Sequence, residues 1–340
     1  MPRSSQPLNP STSQLLLALE TSCDETAIAV LSDGKLLVSE VASQVAEHEK
    51  FGGVVPEVAS RNHLVHAPRL LERALRKAKI DISEVDAFAA TSGPGLASSL
   101  MIGASIAKGL AIGFGKPYLA INHLEGHLLS PFFGEQKIRT NVSLIVSGGH
   151  TMSIFVRGVG DYGIIGRTVD DAAGEAFDKI AKLLGLGYPG GPEIENHGRN
   201  GDANAFDLPR SMPDSENFSF SGLKTAVRYL LPKLKGDYLA DVCASVQAAI
   251  IDVLVSKTIA ASKKHKVDLV TVSGGVSCNQ ALRKKMADSC ERHGIELKTA
   301  EPWLCTDNAA MIAFAALLKL QNGAISSVAD EIDPNLALAV

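Results

Sequence analysis

The sequence predicts an α/β protein of two similar lobes with a cleft between them. Three observations carry this expectation. The chain has 340 residues, 46% of them hydrophobic, enough to bury two cores of ordinary domain size. A unit of strand, short polar turn, strand and strand opens at residue 15 and restarts near residue 142. In each half that unit gives way to helices alternating with apolar strands, the pattern of a parallel sheet. Repetition of one unit along a chain points to a duplicated fold.

Taken in order, LLLALE (15–20) reads as a buried strand and AIAVL (27–31) as its hairpin partner across the polar turn TSCDET. KLLVSEV follows the turn Asp33-Gly34, a strong hairpin signal. From Pro56 to residue 77, Val58, Val65, Leu70, Leu71, Ala74 and Leu75 fall at helical spacing. Then come the strand VDAFAAT (85–91), a Gly/Pro loop, an apolar helix at 97–112, and the strand PYLAI leading into a helix that carries INHLEGHLLSP. In the second half, VSLIVSGGHTMSIFV is strand, small-residue turn and strand, and YGIIGRTV is a third strand. A helix-rich run covers 170–187. VDLVTV (267–272) is a buried strand feeding Gly-Gly and a helix that starts near Ser277. Residues 187–220 show no clean period and read as an irregular insertion over the cleft. The expected division is a first lobe from 15–135 plus 307–340 and a second from 136–306. Residues 1–14 form a disordered Ser/Pro-rich extension without the apolar region of a secretory signal.

The 33 basic and 37 acidic residues leave a net charge of −4. That excludes a polycation wrapping nucleic acid, though not a local basic patch. Five cysteines, scattered and without a C-x-x-C, fit a reducing, cytoplasmic setting and no disulfide framework. No uninterrupted apolar run approaches the ~18 residues of a membrane span.

His123 and His127 stand one helical turn apart, on one face, where two imidazoles can meet one cation. With nine histidines in the chain, chance also produces such a pair, so spacing alone leaves the question open. Three turns suit close backbone approach to an anion: Thr21 to Thr26, Ser147 to Thr151, and Ser273 to Ser277. Singly, each serves equally well as a plain structural turn. Neither G-x-x-x-x-G-K-[ST] nor G-x-G-x-x-G is present, so a P-loop enzyme or a dinucleotide dehydrogenase is not supported.

The motifs ETSCDET, HLEGH, VSGGHT, DDAAGEAFDK, GYPGGP, FSFSGLKTA, SGGVSCNQ and TDNAAMIA occur in this order. Together they closely resemble the tRNA N6-adenosine threonylcarbamoyltransferase family, long misnamed O-sialoglycoprotein endopeptidase. The resemblance runs from about Leu15 to Leu320. It implies the two-lobed fold of actin, Hsp70 and sugar kinases, with duplicated RNase H-like lobes. It implies transfer of threonylcarbamoyl from threonylcarbamoyl-AMP to the exocyclic amine of the adenosine beside the anticodon, in tRNAs reading ANN codons. It also implies a divalent metal, iron or alternatively zinc, on His123, His127 and Asp307. By the same resemblance Ile145, Val146, Ser147, Gly148 and Gly149 line the phosphate and acyl region. Asp178 and Glu195 meet the ribose, Gly191 permits close approach, and Asn279 contacts the adenine or its sugar. Asp24 or Glu25 is the candidate general base, and His150 offers a phosphate-side hydrogen bond.

The old protease name fails on geometry. A zincin needs H-E-x-x-H, but here Glu125 lies two residues after His123, about 200° round the helix. The family resemblance further implies tRNA as a partner, together with a smaller paralogue and a P-loop ATPase. Basic clusters that could meet tRNA are Arg73/Arg76/Lys77/Lys79, Lys263/Lys264/Lys266 and Arg283/Lys284/Lys285, each of which also reads as a solvated helix face. His63 and His66 read as structural or partner-facing. The rival functions are a silent nucleotide-binding scaffold of the same fold and a small-molecule carbamoyltransferase.

Overall fold

The computed structural model describes residues 14–338. The extension expected over residues 1–14 therefore lies, apart from Gln14, outside the described residues. The first sheet comprises β1 (Leu15–Glu20), β2 (Glu25–Ser32), β3 (Lys35–Ser43), β4 (Ala87–Gly93) and β5 (Tyr118–Asn122). Their order is β3-β2-β1-β4-β5, with β1 antiparallel to β2 and parallel to β4. The second sheet comprises β6 (Asn141–Val146), β7 (Thr151–Gly158), β8 (Asp161–Arg167), β9 (Leu269–Ser273) and β10 (Glu296–Thr299). It runs β8-β7-β6-β9-β10, with β6 antiparallel to β7 and parallel to β9. Strand for strand, order and sense repeat, so the duplication read from the sequence is present as two sheets of one topology. Asp33 and Gly34, at φ 50° and 79°, form the tight turn between β2 and β3.

The helices are α1 (Val45–Glu49), α2 (Pro56–Ala78), α3 (Ala97–Phe114), α4 (His123–Leu129), α5 (Ala173–Leu183), α6 (Gly190–Gly198), α7 (Ser221–Leu230), α8 (Leu239–His265), α9 (Gln280–Arg292), α10 (Pro302–Cys305) and α11 (Ala309–Gln321). The pleat sends alternate residues of each central strand to opposite cores. Leu17 and Leu19 of β1 join the cluster under α2 and α3. Leu16 and Ala18 join the one under α4 and α11, which also takes in Ile145, Met152 and Ile154 of the second sheet. Leu144 and Val146 turn instead to the core formed with α5, α6, α8 and α9. α4, which carries His123 and His127, thus sits at the junction of both sheets, on the shared core.

Three details differ from the sequence reading. The segment 187–220 contains a regular helix, α6, whose Ile194 is fully buried; its three glycines, proline and asparagine hide the period. The turn after β9 is a short 3-10 stretch, Gly275–Cys278, and the helix proper starts at Gln280 with Asn279 as its cap. Finally, α3 and α8 are long and apolar enough on average to cross a membrane. Polar residues such as Ser98, Ser99, Ser105 and Lys108 break up any continuous run in α3. Both helices pack on sheets, α3 on β4 and α8 on β6.

Candidate active site

β5 ends at Asn122, whose side-chain oxygen accepts from the amides of Leu124 and Glu125 and so starts α4. One turn of this helix brings His123 and His127 together, their rings edge to face with centroids 4.8 Å apart. Asp307, just ahead of α11, reaches them from the far end of the chain. Its Oδ1 stands 3.0 Å from His127 Nε2 and 3.5 Å from His123 Nε2. The three ligand atoms lie within 4.8 Å of one another. Two imidazole nitrogens and one carboxylate drawn together in this way fit a divalent transition metal, with positions left for substrate. Glu125 points away, toward the Tyr162 hydroxyl at 2.9 Å and Lys319 at 2.6 Å; the zincin arrangement is absent.

Glu20 completes the centre, and sequence reading missed it. This fully buried carboxylate accepts from His123 Nδ1 at 3.0 Å, Thr91 Oγ1 at 2.6 Å and Ser22 N at 2.5 Å. The bond to Nδ1–H fixes the His123 tautomer that offers Nε2 to a metal. A charged residue ending the otherwise apolar LLLALE was the available signal. Burial opposes a charge on His123, yet Asp307 and Glu20 together raise its pKa to about 9. Burial likewise opposes charge on Asp307, but the two imidazoles hold it well below the usual carboxylate range. The site is thus a negative hollow that calls for a cation.

In front of it opens a cleft of about 690 Å³ between the lobes. Asp24, Glu25, Ser147, Gly148, Gly149 and Asp178 line it together with His123 and Asp307. The amides of Gly148 and Gly149 take no hydrogen-bond partner among the described residues, so both are free to meet an anion. Gly274, at φ 90°, lets the third turn abut β6, where a Cβ would come 2.5 Å from Val146 O. His150 also lines the cleft, its ring 6.4 Å from that of His123. Burial first, then its two neighbouring imidazoles, press its pKa down to about 4. It is a neutral imidazole beside the His123/His127/Asp307 cluster.

Burial first, then Asp307 and Asp24, push Glu25 up to about 9. Asp178 rises to about 6 by burial, against the hydrogen bond its carboxylate accepts from Gly190 N at 2.7 Å.

Other expected residues are not among those lining the cleft. Ile145 and Val146 are buried in β6 beneath the turn. Gly191 faces open space on the first turn of α6. Glu195 accepts from Gln280 N at 2.7 Å, tying α6 to α9. Asn279 caps α9 through Leu282 N and donates to Gln247. The walls include several residues that sequence reading passed over: Cys23, Glu175, Lys179, Lys182, Tyr188 and the pair Gly52-Gly53. His63 is structural. It bonds Thr26 Oγ1 at 2.8 Å and Cys23 O at 3.0 Å, bracing the first turn. Among the basic clusters, Arg73 and Lys77 pair with Glu40, and Arg283 turns inward to the carbonyls of Ser277 and Ala300.

The chain matches the family model of TsaD, tRNA N6-adenosine threonylcarbamoyltransferase, over residues 35–314. A tRNA N6-adenosine threonylcarbamoyltransferase of Thermosipho africanus is 46% identical over 329 residues, 95% of this chain and 100% of the relative. That of Geotalea uraniireducens is 50% identical, covering 92% and 93%. Among solved structures, T. kodakarensis HypF superposes with a TM-score of 0.65 at 14% identity, over 92% of this chain and 49% of that one. Component A of the (R)-2-hydroxyglutaryl-CoA dehydratase of Acidaminococcus fermentans gives 0.51 at 16% identity, over 91% and 99%. These likenesses support the two-lobed fold of actin, Hsp70 and sugar kinases. With motif order, a matched model over most of its length and full-length relatives in agreement, the chain belongs to the tRNA N6-adenosine threonylcarbamoyltransferase family.

Proposed function

We propose that this protein transfers threonylcarbamoyl from threonylcarbamoyl-AMP to N6 of the adenosine 3′-adjacent to the anticodon in tRNAs reading ANN codons, releasing AMP. The observation that carries this reading is the His123/His127/Asp307 set, whose His123 and Asp307 line a cleft that also holds amides free to meet a phosphate. The N6 amine is a poor nucleophile because its lone pair is delocalised into the ring. A mixed carbamoyl-phosphate anhydride answers this with a good leaving group. The new bond joins N6 to the carbamoyl carbon, the bond from that carbon to the phosphate oxygen breaks, and the amine proton passes to a carboxylate.

A divalent cation on His123, His127 and Asp307, iron or alternatively zinc, supplies Lewis acidity when bound. The chain's own residues do the rest. The amides of Gly148 and Gly149 hold the adenylate phosphate and stabilise charge as AMP leaves. Asp178, on the same wall, accepts from the ribose hydroxyls. With Glu25 holding its proton up to about pH 9, Asp24 is the carboxylate that takes the amine proton. Neutral His150 donates to the donor substrate without competing for the metal. Ile145, Val146, Glu195 and Asn279 act behind the wall, by shaping the turn and the seats of α6 and α9, while Gly191, facing open space, leaves room for close approach. The protein works in the cytoplasm, with a smaller paralogue of the same fold and a P-loop ATPase as partners.

The test is to supply the protein, its partners and unmodified ANN-reading tRNA with fresh threonylcarbamoyl-AMP, then weigh the digested nucleosides. A threonylcarbamoyladenosine peak lost in His123→Ala supports the reading. Adenylate bound but unconsumed by the wild type would instead indicate a silent scaffold.

A further inference from the structure

Asn122 engages two parts of the chain at once. Its Oδ1 caps α4 by accepting from Leu124 N at 2.9 Å and Glu125 N at 3.4 Å. Its Nδ2 donates to the carbonyls of Leu336 and Ala337, at 3.3 and 3.1 Å. These belong to a strap, residues 324–338, that follows α11 and crosses the ends of β4 and β5. Ser326 N donates to Tyr118 O at 3.0 Å, Asp333 N to Ser92 O at 2.9 Å, and Gly95 N to Pro334 O at 3.1 Å. From Glu331 to Leu338 the side chains alternate between exposed and half-buried, and Leu338 packs on the shared core. The crossing is built for close contact. Gly93 has φ 152°, and a Cβ there would stand 1.9 Å from Asp333 O.

An asparagine amide has one oxygen and one NH2, so only one orientation satisfies both the helix amides and the strap carbonyls. With the strap seated, that orientation is fixed, and with it the start of the helix that aims His123 and His127. We propose that the C-terminal strap is a positioning element for the metal centre, acting through Asn122, so that strap seating and metal binding are coupled. Linkage then makes the coupling reciprocal: unseating the strap weakens the metal, and removing the metal loosens the strap. The inference rests on the reading of His123, His127 and Asp307 as a metal centre.

Two full-length variants approach the contact from opposite sides. Asn122→Asp keeps size and cap acceptor but turns an oxygen toward Leu336 O and Ala337 O. Leu338→Asp unseats the strap without touching Asn122. Each is titrated with Co2+ against a chelator, following the visible spectrum, and wild-type amide exchange at Asp333 and Leu336 is measured with and without Co2+. Each variant should weaken Co2+ by about tenfold. The double variant should be no worse than either single, because both break one coupling. Chelation should speed exchange of the two strap amides in the wild type. Unchanged Co2+ affinity, additive losses, or exchange indifferent to the metal would overturn the coupling and leave the strap merely structural. A wild type that binds no Co2+ would instead remove the metal reading itself.

Discussion

Glu20→Gln probes the proposed metal centre through a residue outside the His123/His127/Asp307 set. Oε1 of Glu20 accepts from Ser22 N, while Oε2 is shared by Thr91 Oγ1 and His123 Nδ1. Glutamine keeps the volume and one acceptor, so the Ser22 bond survives and the NH2 takes the place of Oε2. An NH2 there donates to His123 Nδ1, which drives the ring proton to Nε2, the atom facing Asp307. The lone pair needed for the metal is then occupied. Metal affinity should fall by about 10–100-fold, the usual scale for loss of such an outer partner, or roughly 1.4–2.8 kcal/mol. The metal-free protein gives an independent readout. His123 is raised from 6.5 to about 9 against burial, by Asp307 and Glu20. A raised pKa contributes stability that is full below pH 6.5 and lost as the pH climbs through about 9; the whole window is worth roughly 3 kcal/mol. Glu20 supplies part of it, so wild type and variant should differ most below pH 6.5 and less above pH 9. The assays are Co2+ titration against a chelator, and denaturant unfolding of the chelated proteins across this range. Equal affinity in the two proteins, or a stability difference indifferent to pH, would refute the reasoning.

Three further outcomes follow from the geometry. Glu25 is raised to about 9, chiefly by burial and then by Asp307 and Asp24, so the metal-free wild type loses stability as pH rises toward 9; Glu25→Gln stays neutral and should melt higher than wild type at pH 9 but alike near pH 4. Phe314 of α11 is buried in the shared core, and Phe314→Ala should lose about 3–5 kcal/mol in denaturant titration; a loss under about 1 kcal/mol would mean that the two sheets do not depend on this helix. At Gly190 a Cβ would come 2.6 Å from Ala181 Cβ and 2.7 Å from Phe177 O. Gly190→Ala should therefore push α6 off α5, destabilise by about 1–3 kcal/mol, and raise the KM for threonylcarbamoyl-AMP by disturbing Asp178; an unchanged KM would show that the seat of Asp178 is independent of α6.

The strands and long helices were legible because their burial is periodic. LLLALE and AIAVL alternate between two apolar environments, and the restart at VSLIVSGGHT displays the same arrangement again. α6 was not legible, because nine residues with glycines at both ends carry too little period, and its place is set by the fit of Gly190 and Gly198 against neighbouring backbone. Within the site, the histidine spacing was visible, but the partner carboxylate was not. Asp307 meets His127 across 180 positions of sequence, a proximity no local pattern encodes; only the motif resemblance supplied it. Glu20, Tyr188 and Lys182 escaped for the same reason, since each joins the cleft or the His123/His127/Asp307 cluster through topology. Asn279 and Glu195 show the reverse limit, being read from motifs as ligand contacts while the fold uses them to cap α9 and to tie it to α6.

The inner layer of the first sheet is made by α11, which is synthesised after all five strands of that sheet, and every one of its residues from Ala309 to Leu318 is buried. Until it emerges from the ribosome, the faces of β1 and β2 that carry Leu16, Ala18, Ala27 and Ala29 have no cover. Asp307 arrives with the same stretch, so the nascent chain gains the third member of the His123/His127/Asp307 cluster only when that apolar face is about to be closed. Closure of the hydrophobic interior and assembly of the His123/His127/Asp307 cluster are thus one event. A product truncated before residue 307 would be sticky as well as inactive, a natural substrate for chaperones and proteases.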